Sequence, residues 1–131
     1  MREQDREKES ARREKRFDCY GQLAVLLSRW FELFVRQGDD FESVSDQFES
    51  HLLDFQNEGD RIYGSVRLLG SKQMSEVAFY SIDALRSNNR LYFGGQLREM
   101  GKCEDEYNRN LDTVTQAIDY ARAELGFAHS E

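Results

Sequence analysis

The sequence predicts an all-α protein: an antiparallel up-down-up-down four-helix bundle with a charged helical extension at its N-terminus. Three observations predict it. Apolar residues recur in steps of three and four through most of the chain, the period of a helix packed along one face. Glycines interrupt that pattern at Gly38, Gly70 and Gly94–Gly95, and tight turns between long helices make sequence neighbours antiparallel. There is no proline, so no helix need break at one.

Composition agrees. A chain of 131 residues forms one domain able to bury roughly two-thirds of its surface in a single core. Charged residues make up 33% and aromatics 12%, enough of the latter to fill a core and to argue against disorder throughout. The net charge of −7 disfavours a general polyanion binder and favours a soluble protein or one that meets basic partners.

Residues 1–16 are polar on every face, with seven basic side chains against five acidic. Glu9 with Arg13 and Asp5 with Lys8 have helical spacing, so the segment reads as an exposed extension of the first helix with nothing to bury. Its alternating signs cancel beyond a Debye length, which weakens it as a docking arm for an anionic surface.

The first helix, about 17–37, organises the chain. Phe17, Tyr20, Ala24, Leu27, Phe31 and Phe34 form one coiled-coil-like seam, and Leu23, Leu26, Trp30 and Leu33 form a second beside it. The second helix, about 40–69, is predicted to start on Asp39 as N-cap with Glu42 supporting the first turn. Phe41, Phe48 and Phe55 repeat every seventh residue and suit a seam against Phe31 and Phe34. Gly59 marks a weak spot within it, and a short strand over 61–69 with Ile62, Val66 and Leu68 on one face is the alternative there. Gly70 is the stop and Ser71 the N-cap of a third helix, about 72–93, where Asn88-Asn89 invites a kink or an early end. The fourth helix, about 96–125, carries Leu97, Met100, Tyr107, Leu111, Val114, Ile118, Ala121 and Leu125 in register, and residues 127–131 are a tail.

Arg67-Leu68-Leu69-Gly70-Ser71 with Val77 and Ala78, and the ending Ala121-Arg122-Ala123-Glu124-Leu125-Gly126, resemble a group of uncharacterised bacterial α-helical bundle proteins. In that group a charged arm and a Leu-Gly-Ser turn recur, and many members carry membrane-spanning segments ahead of the arm. This chain departs from the group at Lys72, where proline often follows the serine, and in having no such segment. The resemblance implies no activity and no catalytic residue.

Reactive chemistry is sparse. His51 lies between Phe48 and Phe55 and reads as an edge-of-core histidine, and His129 falls in the tail. A di-iron bundle needs Glu-x-x-His pairs, whereas Phe48 stands three before His51. Cys19 and Cys103 form no metal-binding pattern and are predicted to lie on the order of 20 Å apart along the bundle, unpaired. Glu104-Asp105-Glu106 points in three directions on a helix, and Gly94-Gly95 lacks the lysine and hydroxyl of a phosphate loop. No enzyme activity, cofactor or metal is expected. Without a signal peptide or a long apolar run the default compartment is the cytoplasm.

The apolar arc of the first helix exceeds what three neighbours need cover. Leu23, Leu26, Trp30 and Leu33 are therefore candidate contacts for a protein partner or for self-association, with deep packing of Trp30 inside its own bundle as the alternative. The function expected is a non-enzymatic helical bundle acting through protein–protein interaction, as adaptor, assembly unit or inhibitor. The alternative is a binding module whose arm docks on membrane headgroups or nucleic acid. A small apolar ligand between helices has no convergent polar groups to hold it.

Overall fold

In the computed structural model, which describes residues 2–38, 40–41 and 44–126, the apolar periods become four helices. They are α1 (Glu3–Gln37), α2 (Asp46–Leu69), α3 (Lys72–Phe93) and α4 (Met100–Glu124), the last preceded by a 3-10 turn over Gln96–Glu99. Each helix packs on two neighbours in cyclic order, and α1 also touches α3 across the diagonal. The arrangement is the four-helix bundle that the periodicity predicts, and no strand occurs among the described residues.

α1 has 35 residues and α2 has 24, or about 52 and 36 Å at 1.5 Å per residue, so α1 overhangs its neighbours. The overhang is the charged arm: it is helical from Glu3, and every residue from Arg2 to Asp18 is exposed. Arg16 ties its root to the bundle by donating Nε–H to the Leu69 carbonyl at 3.1 Å.

Two boundaries differ from the sequence reading: α4 starts at Met100, behind the 3-10 turn, rather than near 96, and α2 starts later than 40. α2 begins at Asp46 because Ser45 is the cap, its hydroxyl accepting the Phe48 N–H at 3.1 Å. The cap expected of Asp39 and its support by Glu42 fall outside the described residues. Phe41 is free of the helix, and its ring plugs the end of the bundle, 6.0–6.4 Å from the rings of Phe48, Tyr92 and Tyr107. The heptad of phenylalanines therefore divides: Phe48 meets Phe34 edge-on at 6.1 Å, and Phe55 meets Trp30 at 6.3 Å.

Residues 61–69 are helical, and α2 runs through Gly59 without a break. The reason is packing. A Cβ at Gly59 would sit 3.1 Å from Ile82 Cγ2 and 3.5 Å from Trp30 Cζ3, so the glycine lets α2 approach α1 and α3 closely. Gly70 ends α2 in extended backbone (φ −89°, ψ 176°), so left-handed freedom is not its purpose. A Cβ there would lie 2.7 Å from the Val66 carbonyl and 2.9 Å from the Tyr20 ring. That ring's hydroxyl accepts the Ser71 N–H at 3.0 Å, and Ser71 caps α3 by accepting from Met74 N–H.

Candidate interaction site and the buried amide pair

The first helix spends its second apolar stripe inside the molecule. Leu23 and Trp30 are fully buried, Leu26 is 4% exposed, and Leu33 is half-buried. Leu23, Leu26 and Trp30 thus lie within the chain's own core, and Leu33 packs at its margin. α1 meets α2 and α4 and, across the diagonal, α3, and most of its second stripe is spent on these three helices. Trp30 is held from two sides: its ring lies on Phe55, and its indole N–H donates to Asn89 Oδ1 at 3.1 Å.

Asn88 and Asn89 do not bend or end α3, which continues to Phe93. Both are buried, at 0% and 1% exposure. Successive helix positions point about 100° apart, so the pair faces two different neighbours. An indole N–H can only donate, which turns the Asn89 oxygen toward α1 and its amide toward α2. That NH2 donates to the Leu52 carbonyl at 3.1 Å and to Gln56 Oε1 at 3.2 Å. Asn88 faces α4, accepting from Asn110 Nδ2 at 2.8 Å and donating to the Tyr107 carbonyl at 3.4 Å. A readable signal existed. Ala78, Ile82, Leu85, Asn89 and Tyr92 follow steps of four and three, so Asn89 occupies a seam slot; Ser81, Ala84, Asn88 and Leu91 do the same. Such a satisfied polar pair sets the register of the helices it joins, since slippage would strand buried amides.

The remaining reactive groups are spent on packing. Cys19 and Cys103 are free and buried, with Sγ–H donating to the carbonyls of Arg16 (3.1 Å) and Gln96 (3.4 Å). Burial raises both thiols above their ordinary pKa, which suppresses the thiolate. Burial pushes the Tyr107 hydroxyl up to about 12; burial and a 2.7 Å hydrogen bond to Glu49 do the same for Tyr92. His51 is half-buried with its ring 6.2 Å from Phe55. Glu104, Asp105 and Glu106 are exposed on α4, and His129 lies outside the described residues. Among the described residues no group of three or more His, Cys, Asp and Glu is arranged to hold a metal, and no helix is long and apolar enough to cross a membrane.

Two surfaces stand out. On the α2/α3 face Tyr63, Phe79 and Tyr80 touch in series, with centroids 5.9 and 5.3 Å apart; Phe79 is 48% and Tyr80 62% exposed. On the outer face of α1, Val25 is 51% exposed between two shallow grooves. One runs toward α2 along Gln22, Phe55 and Glu58; the other, of about 520 Å³, runs toward α4 along Ile118, Arg122 and Leu125. No protein-family model, curated protein or solved structure matches the chain.

Proposed function

We propose that the protein is non-enzymatic and works by protein–protein contact, as an adaptor, an assembly unit or an inhibitor of another macromolecule. The observation that carries this reading is the aromatic row Tyr63–Phe79–Tyr80, in which three rings touch in series and Phe79 and Tyr80 stay exposed at the surface. Exposed aromatics in mutual contact supply rigid apolar area at little entropic cost, the composition of interface centres. The likeness to bacterial helical bundle proteins adds no activity to this reading.

A photo-crosslinking residue placed at position 80, with position 112 on α4 as control, tests it in extracts of the native host, alongside sedimentation of the purified chain. Adducts at 80 and none at 112, or a sedimenting species lost in a Phe79→Ser/Tyr80→Ser variant, support the reading. A monomer without adducts at either position sinks it.

A second reading has its own observation. Arg12, Arg13, Lys15 and Arg16 cluster around Glu14 at the exposed root of the α1 arm, while the other residues carry fourteen basic against twenty-five acidic side chains, Glu14 included. A basic cluster on an otherwise acidic chain suits an anionic surface such as membrane headgroups or nucleic acid. Binding of that kind weakens steeply with salt and disappears with the arm.

A further inference from the structure

We propose that the outer face of α1 pairs antiparallel with the same face of a second copy, about a two-fold axis between Gln22 and Val25. The inference rests on the protein-contact reading above and names the chain's own α1 as the partner. Lys15, Asp18, Gln22, Val25, Arg29 and Glu32 recur in steps of three and four, and all are exposed. They form one stripe along about 26 Å of helix, on the side opposite the buried Tyr20, Leu27 and Phe34.

The charges on this stripe complement themselves in one alignment. With the axis between positions 22 and 25, Asp18 of each copy faces Arg29 of the other, Lys15 faces Glu32, and Gln22 faces Val25. The two-fold repeats each contact, giving four opposite-charge pairs and no like-charge pair along the stripe. A slip of one heptad breaks both kinds of pair and sets Lys15 or Arg29 opposite Val25, depending on its direction. Parallel pairing in register sets each charge against its own kind. Among the described residues Lys15, Asp18 and Arg29 form no ion pair within the chain, and Glu32 holds Arg36 through one carboxylate oxygen.

Shape and length agree. Gly21 lies beside Gln22, and a Cβ there would meet nothing within 4 Å, so a second helix comes close at the axis. The shallow groove toward α2, lined by Leu26 and Phe55, receives the Val25 side chain of the other copy. The same alignment lays the basic root of the arm, with Arg12, Arg13 and Lys15, over the C-terminal half of the other α1. Beside that half runs the start of α2, as the Phe34–Phe48 and Trp30–Phe55 contacts show. Residues 46–58 of α2 carry Asp46, Glu49, Asp54 and Glu58 and neither lysine nor arginine. The second copy thus covers part of the overhang that the chain's own bundle leaves bare. Exposed ion pairs dominate the contact, so the dimer is weak and salt-sensitive, and the fold of each copy does not depend on it.

Sedimentation of the full chain over a range of concentrations at low salt tests the proposal, and a monomer–dimer equilibrium that weakens with salt is expected. Asp18→Arg sets arginine against arginine, and Arg29→Asp sets aspartate against aspartate. Each should weaken dimerisation about tenfold, because the two-fold applies the change twice. Asp18→Arg/Arg29→Asp exchanges the charges and should restore the dimer, and an equimolar mixture of the two single variants should form a heterodimer. Circular dichroism checks that all three variants keep their helices. A monomer at every concentration, a dimer indifferent to both single changes, or no recovery in the exchanged variant overturns the proposal. Dimerisation lost only in Phe79→Ser/Tyr80→Ser also overturns it and leaves protein contact as the mode of action, as does a monomer that still forms adducts at position 80.

Discussion

Trp30 on α1 donates its indole N–H to Asn89 on α3 across the diagonal of the bundle, at 3.1 Å. The bond joins two helices that share few other contacts, and Asn89 passes it on to the Leu52 carbonyl of α2. Removing either partner leaves a buried polar group unpaired. Asn89→Ala should therefore destabilise by about 2–3 kcal/mol in urea melts, more than truncation of one amide alone suggests. Trp30→Phe in the same background should cost less than in wild type. Additivity of the two within about 0.3 kcal/mol would show that the bond is not coupled.

Two glycines of α2 provide an internal comparison. Alanine is favoured over glycine inside a helix by about 1 kcal/mol. At Gly64 a Cβ meets nothing within 4 Å, so Gly64→Ala should raise the melting temperature. At Gly59 the same methyl meets Ile82 at 3.1 Å, inside the core, and Gly59→Ala should lower stability by about 1 kcal/mol despite its propensity. Equal effects at the two sites would refute close helix approach as the reason for Gly59.

Alkaline pH should loosen the protein through its buried tyrosines. Tyr107 is raised from the ordinary 10 to about 12 by burial, so the unfolded chain loses that proton first. Its contribution is intact below pH 10 and is lost as pH climbs toward 12, with a slope on the order of 1 kcal/mol per pH unit. Tyr107→Phe, which retains the ring packed edge-to-face with Phe34 and Phe41, should flatten that part of the profile. An unchanged slope in chemical denaturation at pH 9–11.5 would remove Tyr107 from the account.

The arm should be dispensable for stability. Arg2 to Arg13 are exposed throughout, and surface ion pairs there contribute only a few tenths of a kcal/mol. Deleting residues 2–13 should lower the helical ellipticity yet leave the urea midpoint within experimental error. A clear loss of stability would mean that the arm packs against something.

Legibility followed the physics of each residue type. Steps of three and four located the four helices, because a helix that must bury one side writes that period into its own sequence. Ser71 was readable as a cap, since its hydroxyl acts within one turn of itself. Ser45 was passed over because Phe41 keeps the helical phase of Phe48 while standing off the helix, and periodicity alone does not reveal that. Asn88 and Asn89 were read by local propensity, which disfavours asparagine in a helix. Their seam positions, a tertiary demand, decided otherwise.

By itself the sequence determined the all-α class, the number of long helices, their glycine-bounded ends and the bare polar arm, all consequences of near-neighbour spacing. Only the tertiary structure decided which apolar stripe faces inward, and it placed Leu23, Leu26 and Trp30 in the core and Val25 outside. Periodicity states how wide an apolar arc is but not how many helices surround it. The diagonal approach of α3 to α1, with Gly59 of α2 packed close to both, provided the cover that the linear pattern left unassigned.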